Sequence, residues 1–525
     1  MRYLFRVNTY QGIGHLMRCR WLATALQSQG QSCCFFVDKN TDLDALFDSF
    51  PFDIVQLEAD LAEKQDAQQF ISSAQSKIGD LSSVSVVVDN YQLGAQWEAD
   101  IKKSGARVIA LDDIHRTHSA DVVIDQRLDL SGERNYSALV TQETSLLLGP
   151  DYTLLNPVYE RAVNKGSLAG NNVLISLGGG GDWSQIEGLV QKLAEQRKVS
   201  LTVIVGPQAK NIHYLHQLQS SGLIELVESP ESLIEYYQRC DLFFGALGTS
   251  LYELAATLTP ALTFALAPNQ ENDWRSLDAL GHFFHLGNLK HIDFDDVMQA
   301  IYALLDNLVA VKAMREAAPV RIDGQGAKRI ARFLNGEDIT LKTERSQSDE
   351  CLRINDHLSY RDVIDQDINL YRNARNRPNN SEKMTVTQDV KLGEHIKWWF
   401  NNQRHSQILY YQGAPTIVMW HQLVRFDEQE YLIGGWFTTD VTPSFDVVTA
   451  ALEWQLQQTF KSHPNAAWIA VINKENKFVN LLNQYLGFQR SREHTHYYLA
   501  TQRAFPKATD NDFNFVHLEN TKMER

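Results

Sequence analysis

A chain of 525 residues is too long for one ordinary hydrophobic core and predicts roughly two to four domains. Hydrophobic residues make up 44% and charged residues 22%, which are globular values, and no apolar run approaches the roughly 20 residues of a membrane span. A formal net charge of -15 opposes nonspecific binding to nucleic acid or to an anionic membrane surface.

Residues 4–7 read as a short apolar strand, followed by Gly12-Ile13-Gly14-His15 and a helix with apolar spacing over 16–26. Gly12 and Gly14 permit close backbone approach, and His15 falls near a helix N-terminus whose amides would face an anion. The loop is not a dinucleotide fingerprint, because the third glycine would fall at Met17, and no P-loop lysine follows. Taken alone it is equally a tight turn beside a histidine. Further strands are predicted over 32–37, 54–57, 84–88 and 108–111, the alternation that marks a parallel α/β sheet. Asp89-Asn90-Tyr91 and Asp112-Asp113 end two of them on the same side as His15. Cys33 and Cys34 read as buried small residues on a strand, and the five cysteines lack C-x-x-C spacing, so neither a disulfide framework nor a zinc site is expected.

A second α/β series starts at 173–177 and continues through 201–205, 224–227, 242–244 and 261–265, closing with a helix through 310. Two Rossmann-like halves, residues 1–160 and 161–335, would enclose a cleft at the carboxyl ends of their strands. Gly178 to Gly181 and Gly245 to Ser250 follow strands of the second half, either as phosphate-binding loops or as plain βα turns. Glu253, just inside the next helix, suits a ribose diol or compensates the helix dipole. Asn269-Gln270 offers two amides at the cleft mouth, or a turn with a helix cap.

Residues 336–350 are polar without apolar periodicity and read as a linker. From 351 to 500 an α+β pattern is expected: helices near 363–372 and 393–402, strands near 407–411, 416–423 and 431–437, a helix through 460 and a strand at 468–472. Residues 501–525 turn polar and predict a loosely ordered tail. With no secretory pattern at the N-terminus, a cytoplasmic enzyme is the expected placement.

Taken together, Arg6 through Cys19, Val88 to Tyr91, Leu111 to Asp113, Ile175 to Gly180, Gly248 to Glu253, Asn269-Gln270 and Asp323-Gly324-Gln325-Gly326-Ala327 resemble the UDP-sugar hydrolases of pseudaminic acid biosynthesis. Those enzymes have the glycosyltransferase type B architecture and remove UDP from a diacetamido-trideoxy hexose. The resemblance covers residues 1 to about 335. It implies that His15 activates or positions water at the anomeric carbon, with no metal and no cofactor. It also implies that substrate is bound by Arg6, Asn8, Gly12, Gly14, Asp89 and Tyr91 on the sugar side. UDP would lie against Gly180, Gly181, Gly248, Thr249, Ser250 and Glu253, with Asn269 and Gln270 at the mouth. Three departures bear on the sugar: a shorter loop before His15, Asn8 where aspartate is common, and Asn156 where arginine is expected. A type B glycosyltransferase using a UDP-sugar donor, or a weakly catalytic UDP-sugar binding protein, would use the same cleft.

The last domain resembles GNAT acyltransferases in Leu352-Arg353, Asn373 to Arg377, His395 to Trp399 and Asn476 through Phe488. The resemblance implies acetyl-CoA, with Asn476 and Tyr485 where family members contact the cofactor or act as general acid. However, Thr442 to Thr449 stands where the family's glycine-rich diphosphate loop belongs, and it has no glycine. A degenerate or sugar-binding scaffold, with Tyr485 facing the core, is the competing expectation.

Overall fold

The computed structural model describes residues 2–8, 14–39, 50–248, 250–267, 270–339, 341 and 351–520. The chain forms two compact units, residues 1–346 and 347–525. In the first, a seven-stranded sheet combines β1 (Arg2–Val7), β2 (Ser32–Asp38), β3 (Asp53–Leu57), β4 (Val84–Asp89), β5 (Arg107–Leu111), β6 (Val122–Asp125) and β7 (Ser145–Leu148). Its order is β3-β2-β1-β4-β5-β6-β7, and every pairing is parallel. Central strands buried on both faces read as continuous apolar runs, as in Val84 to Val88, where every residue is buried. Helices α1 (Gly14–Ser28), α2 (Glu63–Ile78) and α3 (Ala95–Lys103) cover the sheet. Phe5 and Val7 face the α1 side with Leu22 and Leu26, and Leu4 faces Phe70 and Trp97 on the other.

The second sheet is built from β8 (Asn172–Ser176), β10 (Ser200–Val205), β12 (Glu225–Glu228), β13 (Leu242–Ala246), β14 (Ala261–Ala265) and β15 (Phe284–Asn288), in the order β12-β10-β8-β13-β14-β15. Short strands β9 (Gly180–Asp182) and β11 (Gln208–Lys210) make a separate parallel ladder. Around them lie α4 (Glu187–Gln196), α5 (His213–Ser220), α6 (Ile234–Arg239), α7 (Ser250–Thr257), α8 (Trp274–Ala279), α9 (Phe294–Asp306), α10 (Leu308–Glu316) and α11 (Gly326–Leu334). Among the described residues no single helix is long and apolar enough to cross a membrane.

One boundary expected from sequence changes. Residues 326–334 belong by sequence to the second half, yet Ala327, Ile330, Ala331 and Leu334 complete the core under α1. The return requires glycine: a Cβ on Gly326 would lie 2.2 Å from the Thr153 carbonyl oxygen, a backbone clash that no rotamer relieves. This explains Gly326 in the Asp323 to Ala327 motif.

In the second unit an eight-stranded mixed sheet runs β16-β17-β18-β19-β20-β21-β23-β22. Its strands are β16 (Leu352–Arg353), β17 (Leu358–Asp362), β18 (His405–Tyr411), β19 (Ala414–Phe426), β20 (Gln429–Thr438), β21 (Ala467–Asn473), β22 (Gln489–Arg490) and β23 (Phe513–Leu518). Helices α12 (Ile368–Asn376), α13 (Pro378–Ser381), α14 (Leu392–Trp399), α15 (Phe445–Ser462), α16 (Lys477–Tyr485) and α17 (His496–Ala504) accompany it. The loose tail expected from 501 is corrected: β23 lies inside the sheet, between β21 and β22. Its Phe513, Phe515 and Leu518 are buried, a short apolar run that the polar flanks mask.

Candidate active site

In an open parallel sheet, ligands sit beyond the carboxyl ends of the strands where the strand order reverses. In the first sheet that point lies between β1 and β4, where Val7 pairs with Asp89. The Asn8 amide donates to the Asp89 carbonyl at 2.9 Å, which seats the chain leaving β1 against the end of β4. His15, on the first turn of α1, lies with Nδ1 2.6 Å from Asp89 Oδ1. Arg18, one turn further along the same helix face, donates from Nε and Nη2 to Asp89 at 2.6 and 2.5 Å and from Nη1 to Asp113 at 2.7 Å. Tyr91 sets its ring edge-on to His15, with centroids 4.7 Å apart.

Asp89 is 1% exposed. Burial alone would raise its carboxyl, but the Arg18 charge and then His15 hold it well below the usual carboxylate range. A carboxylate only accepts, so His15 Nδ1 carries a hydrogen toward Asp89 and Nε2 is the ring nitrogen that Asp89 does not engage. No described residue partners Nε2, and 11% of the side chain is open. α1 also has no acidic residue in its first turn, which leaves a positive helix end beside the imidazole.

In the second sheet the order reverses between β8 and β13, the strands that feed the Gly178 and Gly248 loops. Contacts join the two reversal points. The Tyr252 hydroxyl on α7 donates to the Gln126 carbonyl at 3.2 Å. Arg127 donates to the Asp113 carbonyl at 3.0 Å and to Asn272 Oδ1 at 3.4 Å. Asn272 Nδ2 in turn donates to the Gln270 carbonyl at 2.8 Å.

The structure brings His15, Asn8, Gly14, Asp89 and Tyr91 together near the carboxyl ends of β1 and β4, and places Gly248, Ser250, Glu253 and Gln270 around the end of β13 and the start of α7. Gly12, Thr249 and Asn269 lie outside the described residues. Several expected roles change. Arg6 is 2% exposed, and its guanidinium is committed to Asp66 and Asp38 at 2.5 and 2.7 Å. Strand alternation puts Arg6 on the Leu4 face, under α2, so it is a buried structural ion pair and not a substrate ligand. Asp89 holds His15 and Arg18 and has no oxygen to spare for a sugar. Gly180 and Gly181 form rungs with Gln208 and Ala209 and are not the N-terminus of a helix. Gly181, at φ +120°, also lies against Leu177. The following turn is capped by Asp182, whose Oδ1 accepts from the Ser184 amide at 3.0 Å.

Ser250 is buried, and its hydroxyl donates to the Ala246 carbonyl at 2.9 Å. Gln270 Oε1 accepts from the Leu266 amide at 2.8 Å, while its Nε2 lies beside Gly248. Glu253 meets the Tyr237 hydroxyl at 3.3 Å. Burial pushes its carboxyl up to about 7, although Tyr159 and Tyr237 pull against that rise.

Sequence reading missed Arg18, Arg127 and Tyr252. Arg18 was legible, since a residue three positions after His15 on a helix shares its face. Arg127 and Tyr252 were not, because their roles depend on how two sheets meet.

In the second unit β20 and β21 pair only at Tyr431 with Ala467 and Leu432 with Trp468. Beyond those rungs a cavity of ≈ 220 Å³ opens, lined by Gly434, Trp436, Ile472, Asn473 and Asn476 among others. Asn476 Oδ1 accepts from the Val479 amide at 3.2 Å, capping α16. Tyr485 is 65% exposed and does not line the cavity, so it neither faces the core nor reaches that space.

No family model matches the chain. Over 334 residues it is 20% identical to the spore coat polysaccharide biosynthesis protein SpsG of Bacillus subtilis, a match spanning 62% of this chain and 94% of that protein. Over 310 residues it is 23% identical to the pseudaminic acid cytidylyltransferase and UDP-2,4-diacetamido-2,4,6-trideoxy-beta-L-altropyranose hydrolase of Helicobacter pylori. That match spans 57% of this chain and about half, 51%, of the relative. Among solved structures, Acinetobacter baumannii MurG matches with TM-score 0.44 and 13% identity, over 64% of this chain and 99% of that one. Arabidopsis thaliana UGT89C1 complexed with UDP matches with TM-score 0.43 and 12% identity, over 63% and 98%. The chain is thus distantly related to SpsG and to the H. pylori protein, and its first unit carries two parallel α/β sheets.

Proposed function

We propose that the first unit hydrolyses a UDP-linked sugar, a diacetamido-trideoxy hexose of nonulosonic acid synthesis, and releases UDP and the free sugar. One observation carries the reading: His15 is fixed through Nδ1 on Asp89 with part of its ring still exposed, at a strand-order reversal joined by Tyr252 and Arg127 to that of the second sheet. The hydrolase activity named for the H. pylori relative supports the same chemistry. In the proposed step a water oxygen attacks the anomeric carbon and its proton passes to His15 Nε2. The bond from that carbon to the diphosphate oxygen breaks, with its electron pair leaving on UDP. A positioned imidazole suits the proton transfer, and the helix ends at α1 and α7 suit the developing negative charge. Glu253 and Gln270 are the proposed nucleoside-side contacts. Incubation with candidate UDP-sugars, following UDP and free sugar, tests this; UDP release only when an acceptor is added would replace hydrolysis by glycosyl transfer.

For the second unit we propose a scaffold that has lost acyl transfer. A CoA diphosphate needs unobstructed amides at a helix N-terminus. Before α15, Pro443 offers no amide hydrogen, and exposed Asp446 in the first turn repels phosphate. The Phe445 ring is held against Phe478 and Tyr485, with centroids at 5.7 and 6.3 Å. These residues do not fit the cofactor. Calorimetry of the full chain with acetyl-CoA should give no binding heat; micromolar affinity would restore the acyltransferase reading.

A further inference from the structure

Arg18 spreads its fork of N–H donors over two carboxylates. Its fork grips both oxygens of Asp89, its remaining arm reaches Asp113, and Nη2 passes 3.1 Å from His15 Nδ1. Asp89 therefore serves a permanent cation and an imidazole together. Were His15 to take a second proton, it would stand as a cation beside that guanidinium, over a carboxylate already neutralised.

Other titratable and charged groups lie around His15, Asp89 and Asp113. On α1, burial pushes the Cys19 thiol well up, so it stays neutral. Burial and then the Asp113 charge push the Tyr91 phenol up. Arg116 spends Nη1 and Nη2 on the carbonyls of Tyr91 and Asn90, each at 2.9 Å. From the second half, Tyr252 stays neutral through burial, and Arg127 is tied to the Asp113 carbonyl and Asn272. Among the described residues Arg18 is the arginine that pairs directly with Asp89.

We propose that Arg18 is a positioning residue: it takes up the Asp89 charge so that His15 sits neutral, with Nδ1 protonated and Nε2 open to a proton from the reacting water. The proposal rests on the hydrolase reading for its reaction, but not for its measurement. In the full chain with labelled histidines, the His15 ring nitrogens are followed by NMR without substrate, His15→Gln identifying the signal. The unsubstituted protein at neutral pH should show the Nδ1–H tautomer; an Nε2–H tautomer or an imidazolium there overturns the proposal even where no variant folds. In Arg18→Gln, Asp89 is left to His15 alone, and the ring should titrate about one to three pH units higher. The acid limb of kcat/KM for UDP release should move up with it. Arg18→Lys, a cation without the fork, should hold the limb and lower kcat. An Arg18→Gln titration matching the parent overturns the proposal. An NMR shift without UDP release from any UDP-sugar would instead remove the hydrolase reading and leave the role of Arg18 standing.

Discussion

Each half of the first unit places one carboxyl at the point where its strand order reverses, and the two meet opposite fates. Asp89, gripped by Arg18 and His15, is held ionised despite complete burial. Among the described residues Glu253 has no cation partner, only two tyrosine hydroxyls, and its carboxyl is pushed up to about 7. Titratable groups driven apart by their surroundings mark a division of labour. The first reversal point keeps a fixed negative charge against the His15 imidazole, as the proposed base would need. The second keeps a carboxyl able to accept or donate hydrogen bonds, as a neutral polyol would require.

The largest expected effect falls on the base. His15→Ala should lower UDP release by about 10²–10⁴-fold, the usual worth of a positioned general base, while UDP affinity stays near the parent value. Unchanged turnover would remove His15 from the chemistry and dissolve the contrast with Glu253. Next, Asp89→Ala leaves Arg18 buried without its main partner and should cost about 3–5 kcal/mol in urea unfolding. A loss under 1 kcal/mol would show that Asp113 alone satisfies Arg18. The smallest effect concerns pH. Because the Glu253 carboxyl is raised in the folded chain, its ionisation opposes folding. Stability should therefore fall as pH rises from about 4.5 to about 7, and Glu253→Gln should flatten that slope. An unaltered slope in thermal melts of the variant would mean that Glu253 titrates normally.

Much of this was legible from residue order. The strands of both sheets carry dense β-branched and apolar runs, and the loops after β1, β4, β8 and β13 announce themselves by glycine, histidine or aspartate. Short pieces such as β9, β11 and β15 were hidden, because three to five residues paired at an edge leave no periodic trace. Arg6 shows a different limit. Its position in a ligand-like motif pointed to substrate, while its partners, Asp38 and Asp66, lie 32 and 60 residues away. Only the strand's alternation, which puts Arg6 with Leu4, hinted at the buried face. The Asp182 cap was readable in principle, as an Asp two residues before Ser184, but the four glycines preceding it drew the phosphate reading instead.

The return of α11 to the first sheet governs how the molecule comes apart. A chain cut near residue 320 would strip Ile330 and Leu334 from the flank of α1, loosening the helix that carries His15 from a break some 300 positions downstream. The two halves are therefore not separable modules to be expressed or exchanged at residue 160. Any graft that swaps one second half for another must carry the last helix of its donor and a first half cut to receive it.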